Sequence, residues 1–112
     1  MHSYYPIFLN LEGKRSVVIG GGPVAEGKIT KLSESGSQIT VISPEVTPAI
    51  RRAARQGSAQ WLEREYQPGD LDGAFIAIAA TNERSVNQQI FEEAKQRGVL
   101  LNVVDDPVSC NF

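Results

Sequence analysis

The sequence predicts an α/β fold, a Rossmann-like doubly wound parallel sheet of about five strands with helices on both faces. Short apolar runs alternate along the chain with segments whose apolar residues recur at helical spacing. Most of these runs are almost continuously apolar, which is typical of strands covered on both faces in a parallel sheet. The predicted strand order is 3-2-1-4-5, with right-handed crossovers.

Five apolar runs are the predicted strands, and the third of them is the weakest. They are residues 16–19, 39–42, 59–62, 74–79 and 99–104. The charged residues between the third and fourth runs, which include Arg64 and Asp70, are interpreted as solvated edge and loop charges.

Three helices are predicted between these strands. Each is marked by apolar residues that fall on one helical face, although the second set is poorer than the others. The sets are Ala25, Ile29 and Leu32; Ile50, Ala53 and Ala54; and Val86, Ile90 and Ala94. Gly36, Gly57 and Gly98 each stand between one of these sets and the next strand. We therefore expect them to end the helices in the left-handed conformation.

The composition is that of one small globular domain of 112 residues. Hydrophobic residues make up 41% and charged residues 21% of the chain, and the net charge is −2. This composition excludes a disordered chain and predicts no positive field that would recruit nucleic acid or an acidic membrane. Cys110 is the single cysteine, which excludes an internal disulfide and favours a reducing, cytoplasmic compartment. We also expect no membrane span and no metal site, because no apolar run approaches roughly 18–20 residues and no Cys/His cluster has ligand spacing.

The first strand leads into a glycine-rich turn that is typical of dinucleotide binding. Gly20, Gly22 and Ala25 match the pattern G-x-G-x-x-A. Gly20 is expected to permit the tight turn, Gly22 the close approach of a pyrophosphate, and Ala25 the packing of the helix on the strand. The N–H groups and dipole at the helix start favour the phosphate charge. A glycine-rich turn that binds nothing is the alternative, but the strand–turn–helix context favours the dinucleotide.

The end of the second strand bears on the choice between NAD and NADP. An acidic residue that binds the ribose is expected roughly twenty residues after the glycines. Ser43 occupies or adjoins that position, and Glu45 follows beyond Pro44. No arginine follows at once to hold a 2′-phosphate, since Arg51 and Arg52 come later, so NAD is favoured. The alternative for Glu45 is a charge that complements the dipole of the next helix.

The ends of the fourth and fifth strands supply the remaining candidates, because ligands of such sheets lie beyond the carboxyl ends of the strands. Thr81 and Asn82 could hydrogen-bond the cofactor, cap the following helix, or do both. Asp105 leaves the fifth strand where the nicotinamide is expected to point, and a carboxylate there can act as a general base. The alternative for Asp105 is a purely structural role in a turn. For Asp106, which precedes Pro107, this turn role is the preferred interpretation.

In their order along the chain, these motifs resemble the N-terminal domain of siroheme synthases, the precorrin-2 dehydrogenase family. The resemblance covers essentially the whole chain and rests on residues 5–8, 17–26, 79–82, 86–87, 102–107 and 110–112. It implies NAD-dependent oxidation of precorrin-2 to sirohydrochlorin and, in bifunctional members, insertion of Fe²⁺. The implied cofactor contacts are Gly20, Gly22, Pro23, Val24, Ser43, Pro44, Glu45 and Thr81. Asp105 matches the aspartate that takes up the proton.

The resemblance also bears on domain organisation. Members of the family continue beyond the match to Phe112 into a dimerisation region and a helical domain that enclose the tetrapyrrole. It therefore implies that residues 1–112 are the NAD-binding domain of a longer, homodimeric protein, and that they are weakly active or inactive alone. A nucleotide-sensing Rossmann module without catalysis and a non-catalytic assembly domain are the competing hypotheses. Asp105 favours the enzyme, since a sensor needs no base at that position.

Overall fold

Five parallel strands form one sheet in the computed structural model, which describes residues 5–105, 110 and 112. The strands are β1 (Arg15–Ile19), β2 (Gln38–Ile42), β3 (Gln60–Leu62), β4 (Ile76–Ala79) and β5 (Leu100–Val103). Their order is β3-β2-β1-β4-β5, and every neighbouring pair is parallel. The predicted fold class and strand order are confirmed. The turn predicted at Asp106 and Pro107 lies outside the described residues.

The helices follow the predicted pattern as well. They are α1 (Pro23–Glu34), α2 (Pro48–Arg55) and α3 (Arg84–Arg97). Gly36, Gly57 and Gly98 have φ angles of 75°, 81° and 70°, so each adopts the left-handed conformation predicted for it. Thr47 caps α2, because its hydroxyl accepts the Ile50 N–H at 3.3 Å.

Both faces of the sheet are covered, which explains why the strand sequences are continuously apolar. Val18 faces α1 and α2, whose buried residues include Ile29 and Ile50. Val17 points to the opposite face, where Ile90 of α3 packs against it. Burial of such a side chain contributes about 1.5–3 kcal/mol. Two apolar layers therefore hold the sheet rigid and fix the positions of its strand ends.

A buried carboxylate fastens the long connection between β3 and β4 to α3. Glu93 of α3 accepts hydrogen bonds from the Tyr66 hydroxyl, from the N–H groups of Gly69 and Leu71 at 3.0 and 3.1 Å, and from Arg97 Nε at 2.8 Å. Burial by itself raises the pKa of Glu93, but these hydrogen bonds, that of Tyr66 first, outweigh it and hold the pKa below its usual value. The connection is therefore anchored by a fully satisfied charge.

A second ion pair stabilises the same connection. Arg64 forms two parallel hydrogen bonds with Asp70, at 2.9 and 2.8 Å, and the Gln67 N–H donates to the same carboxylate at 2.7 Å. Burial by itself raises the pKa of Asp70, but the hydrogen bonds from Arg64 and Gln67 outweigh this effect and hold the pKa below its usual value. Asp70 lies in the loop, as predicted. The interpretation of Arg64 as part of a solvated edge was wrong, because Arg64 is only partly exposed and pairs with Asp70.

We expect Glu93→Gln to lower the free energy of unfolding by about 2 kcal/mol at pH 7, because it removes the charge from four hydrogen bonds. The folded-state pKa of Glu93 lies below the unfolded value of 4.5, so its contribution is present above that pH and lost as the pH falls through the folded pKa. The native protein should therefore lose stability on acidification more steeply than the variant. Urea unfolding between pH 7 and pH 3 measures both effects. Glu92→Gln, at an exposed position on the same helix, is the control, and equal pH slopes for Glu93→Gln and the native protein would contradict the assignment.

Candidate functional site

The turn after β1 brings the ends of β1 and β4 into contact. Gly20 has a φ angle of 127°, a backbone conformation that residues other than glycine rarely adopt. A Cβ atom there would lie 2.6 Å from the carbonyl oxygen of Ala80. The Gly20 N–H donates to the Ile42 carbonyl at 3.0 Å, so β2 also ends at this turn. Only glycine allows three strand ends to meet this closely.

Gly21 is required by a different contact, which the sequence pattern did not predict. A Cβ atom on Gly21 would lie 2.1 Å from the carbonyl oxygen of Glu45 and 2.9 Å from Ser43 Oγ. The Gly21 carbonyl in turn accepts the Thr47 N–H at 2.9 Å. The glycine turn and the β2–α2 connection are therefore packed directly against each other. The only sequence signal for this contact was the middle glycine of the run, which the G-x-G-x-x-A pattern does not require.

The start of α1 is open in front of Gly22. Apart from Gly22 itself and its two chain neighbours, no residue has an atom within 4 Å of the position that a Gly22 Cβ would occupy. Gly22 is the N-cap residue and no side chain caps the helix, so its first-turn N–H groups remain available. Pro23 is the first helical residue, and Val24 beside it is half exposed. An uncapped helix start facing open space has the geometry that suits a phosphate group.

The β2–α2 connection presents Pro44 and Glu45 to solvent. Ser43 is buried, and its hydroxyl donates to the Glu45 carbonyl at 2.6 Å, so it shapes the turn. Trp61 donates its indole N–H to the Ser43 carbonyl at 2.9 Å, and the Arg51 guanidinium lies 5.6 Å from the Trp61 ring centre. Glu45 precedes the N-cap of α2 by two residues, and the first turn of α2 contains no acidic residue. Glu45 therefore lies just before α2, and a charge that complements the helix dipole stays the alternative to a ribose contact.

A cleft of about 610 Å³ opens beside the glycine turn, at the carboxyl ends of β4 and β5. It is lined by Val24, Ala80, Thr81, Asn82, Arg84, Asn87, Gln88, Val103, Val104 and Asp105. Three of the predicted residues, Val24, Thr81 and Asp105, therefore meet in one place. Ser43, Pro44 and Glu45 are not part of this cleft and lie on the β2 side of the glycine turn.

The loop between β4 and α3 forms one wall of the cleft. The Thr81 hydroxyl accepts the Glu83 N–H at 3.1 Å, and the Thr81 carbonyl accepts Asn87 Nδ2 at 3.0 Å. The N-cap residue of α3 is Glu83, so neither Thr81 nor Asn82 occupies the capping position that was considered for them. Thr81 instead organises the loop just before the helix.

Asp105 stands on the exposed rim of the cleft, in the turn that follows β5, where the alternative considered for it also placed it. Its φ angle is 63°, and among the described residues it is the one non-glycine residue with a positive φ. Asp and Asn tolerate this conformation better than most residues, although it still carries some strain. Strain of this kind is characteristic of functional positions and makes Asp105 the leading candidate for chemistry in the cleft.

Cys110 and Phe112 both contact β5. The Val103 N–H donates to Cys110 Sγ at 3.1 Å, and Asn102 Nδ2 donates to the Phe112 carbonyl at 2.9 Å. Cys110 therefore contributes to packing against β5. Within the part of the chain that the structure describes, no group of three or more His, Cys, Asp or Glu side chains could hold a metal ion. None of the described helices combines the length and apolarity required to cross a membrane.

Another hollow, of about 750 Å³, lies at the opposite edge of the sheet, near the amino ends of the strands. Its walls include Lys14, Arg15, Asp72 and Arg97. Although it is larger, parallel α/β sheets bind their ligands at the other edge. The cleft at the carboxyl ends is therefore the candidate site.

A family model described as "Putative NAD(P)-binding" matches residues 7–112. The chain belongs to this family. Membership confirms the predicted class of cofactor, a nicotinamide dinucleotide, and agrees with the open glycine turn. The predicted resemblance to the siroheme synthase N-terminal domain is confirmed as well, because alignments with siroheme synthases cover nearly the whole of this chain.

Two relatives and two solved structures define the similarity. The siroheme synthase of Photorhabdus laumondii is 43% identical over 109 residues, and that of Azotobacter vinelandii is 39% identical over 108 residues. These alignments cover 97% and 96% of this chain but 23% of each relative. The structure of SirC, a precorrin-2 dehydrogenase, superimposes with a TM-score of 0.87 at 27% identity and covers 97% of this chain and 53% of SirC. Apo D-lactate dehydrogenase from Escherichia coli, at 12% identity and a TM-score of 0.56, covers 85% of this chain and 38% of its own and shares the fold alone.

Proposed function

We propose that this chain is the NAD-binding domain of a precorrin-2 dehydrogenase, which oxidises precorrin-2 to sirohydrochlorin in siroheme biosynthesis. The observation that carries the proposal is the meeting of Thr81 and Asp105 in one cleft beside the open glycine turn. The similarity of the chain to siroheme synthases and to SirC supports the choice of substrate. For the whole protein we further propose a homodimer, with Fe²⁺ insertion as an additional activity of the full-length form.

The residues present fit a bound dinucleotide. The space in front of Gly22 would admit the pyrophosphate, next to the N–H groups of α1 and beside Pro23 and Val24. Pro44 and Glu45 would face the adenine ribose on the β2 side, and the buried Ser43 would shape the turn that presents them. The cofactor is NAD rather than NADP, because the exposed Glu45 would repel a 2′-phosphate and Arg51 lies over Trp61.

The nicotinamide half would extend across β1 to the ends of β4 and β5, since a dinucleotide spans the crevice from one half of the sheet to the other. NAD⁺, when bound, supplies the hydride acceptor. Thr81 would orient the nicotinamide side from the β4–α3 loop. Oxidation removes a hydride and a proton from precorrin-2, and the proton would pass to the Asp105 carboxylate, acting as general base. The exposed position of Asp105 leaves its carboxylate open to a substrate at the rim.

Anaerobic incubation of the full-length protein that carries this chain with precorrin-2 and NAD⁺ tests the proposal. We expect the absorbance of sirohydrochlorin to appear with NAD⁺ and to be much weaker with NADP⁺. Calorimetry with the two dinucleotides measures binding separately from turnover. Dinucleotide binding without sirohydrochlorin would contradict the dehydrogenase and favour the sensing module, whereas tighter binding of NADP⁺ would contradict the role of Glu45.

A further inference from the structure

Asn87 is the one described residue whose side chain has a buried polar atom without a hydrogen-bond partner. Its oxygen Oδ1 is buried and unpaired, while its nitrogen Nδ2 donates to the Thr81 carbonyl at 3.0 Å. The orientation of the amide is determined by this bond, because turning it over would place an oxygen against the Thr81 carbonyl. An unpaired buried oxygen costs folding free energy, so stability alone does not explain an asparagine here.

The bond from Asn87 joins the first turn of α3 to the loop that precedes it. Asn87 lies one turn along the helix from Glu83, the N-cap residue, and lines the cleft together with Thr81. Thr81 is therefore held at two points: its hydroxyl accepts the Glu83 N–H, and its backbone carbonyl accepts Asn87 Nδ2. Of these two bonds, Thr81 would keep only the short-range one to Glu83 if Asn87 were replaced.

We propose that Asn87 is a positioning residue for the nicotinamide half of the dinucleotide. It holds the β4–α3 loop in the shape that presents Thr81 to the cleft, at the cost of its own unpaired oxygen. This inference rests on the proposed function, because it requires that a nicotinamide dinucleotide occupies the cleft. The adenine half would lie across the glycine turn, on the β2 side, so its binding affinity should not depend on Asn87.

Two ligands separate this role from a general effect on the fold. NAD⁺ reaches the β4–α3 loop, whereas ADP offers the same adenine ribose and pyrophosphate but no nicotinamide half. We expect Asn87→Leu to weaken NAD⁺ binding about tenfold, the effect of about one hydrogen bond, and to leave ADP binding within about twofold of native. The melting temperature should change by less than about 4 °C, because removal of the unpaired oxygen offsets the lost bond to Thr81.

Calorimetry with NAD⁺ and ADP on the native chain, Asn87→Leu and Asn87→Asp measures these affinities. Asn87→Asp places a carboxylate oxygen against the Thr81 carbonyl and should shift the same ratio even if the leucine variant folds poorly. Gln89→Leu makes the same chemical change at an exposed position on α3 outside the cleft and should alter neither affinity.

An increased ratio of NAD⁺ to ADP dissociation constants in both Asn87 variants would support the proposal. An unchanged affinity for NAD⁺, or equal losses for NAD⁺ and ADP, would overturn it and leave the proposed function intact. Failure of the native chain to bind NAD⁺ would overturn both.

Discussion

Replacement of Asp105 by asparagine is expected to lower the turnover of precorrin-2 by a factor of roughly 10²–10⁴, the usual contribution of a positioned general base. Asparagine has the size of aspartate and accepts the left-handed conformation, so the φ angle of 63° should be retained. NAD⁺ affinity should stay within about twofold of native, because the exposed Asp105 stands on the rim of the cleft. The loss would therefore belong to the chemical step.

Single-turnover kinetics under anaerobic conditions, with the full-length protein and saturating NAD⁺, measure this effect. Glu83→Gln is a suitable control, since Glu83 is an exposed carboxylate near the cleft that does not line it. Native turnover in Asp105→Asn would remove Asp105 from the mechanism. A parallel loss of NAD⁺ affinity would instead indicate that the residue maintains the cleft.

The fold could be predicted from the sequence because its main determinants are local. A strand covered on both faces must be apolar at successive positions, as in Val17 and Val18, which enter opposite layers of the core. Glycines that end helices leave a signal at one position, and all three predicted here have positive φ. The edge strand β3 was the weakest prediction because only one neighbour pairs with it and Trp61 and Leu62 are only partly buried.

Candidate site residues could be predicted only where a single local sequence motif contains every residue that the proposed contact needs. Gly20 and Thr81 could be named as candidates because ligands of this fold bind at the carboxyl ends of the strands. The partners of Glu93 could not, since Tyr66 and Gly69 lie more than twenty positions away in the sequence and meet it only after α3 docks. Asn87 could not be found for a different reason: Thr81 is only six positions away, but the contact depends on the orientation of a carbonyl in the preceding loop.

Alanine at Gly21 is expected to lower the free energy of unfolding by about 3 kcal/mol, the upper range for an overpacked site. The backbone conformation is not the reason, because Gly21 has no positive φ. The reason is space: the new methyl group would lie 2.1 Å from the Glu45 carbonyl oxygen, a backbone atom that cannot rotate away. The β2–α2 connection must move, and with it the turn that would hold the adenine ribose. We therefore also expect NAD⁺ affinity to fall by about tenfold or more.

The same substitution at two neighbouring glycines separates packing from cofactor binding. Gly22→Ala meets no protein atom within 4 Å, so stability should fall by at most about 1 kcal/mol, while the methyl group enters the space proposed for the pyrophosphate and weakens NAD⁺ binding. Gly27→Ala, in the interior of α1 with equally open surroundings, should raise stability by about 0.5–1 kcal/mol and leave binding unchanged. Urea unfolding and calorimetry on the three variants measure both quantities. If Gly22→Ala binds NAD⁺ with native affinity, the pyrophosphate does not bind at this turn. If Gly21→Ala has native stability, the β2–α2 connection can shift without a cost in folding free energy.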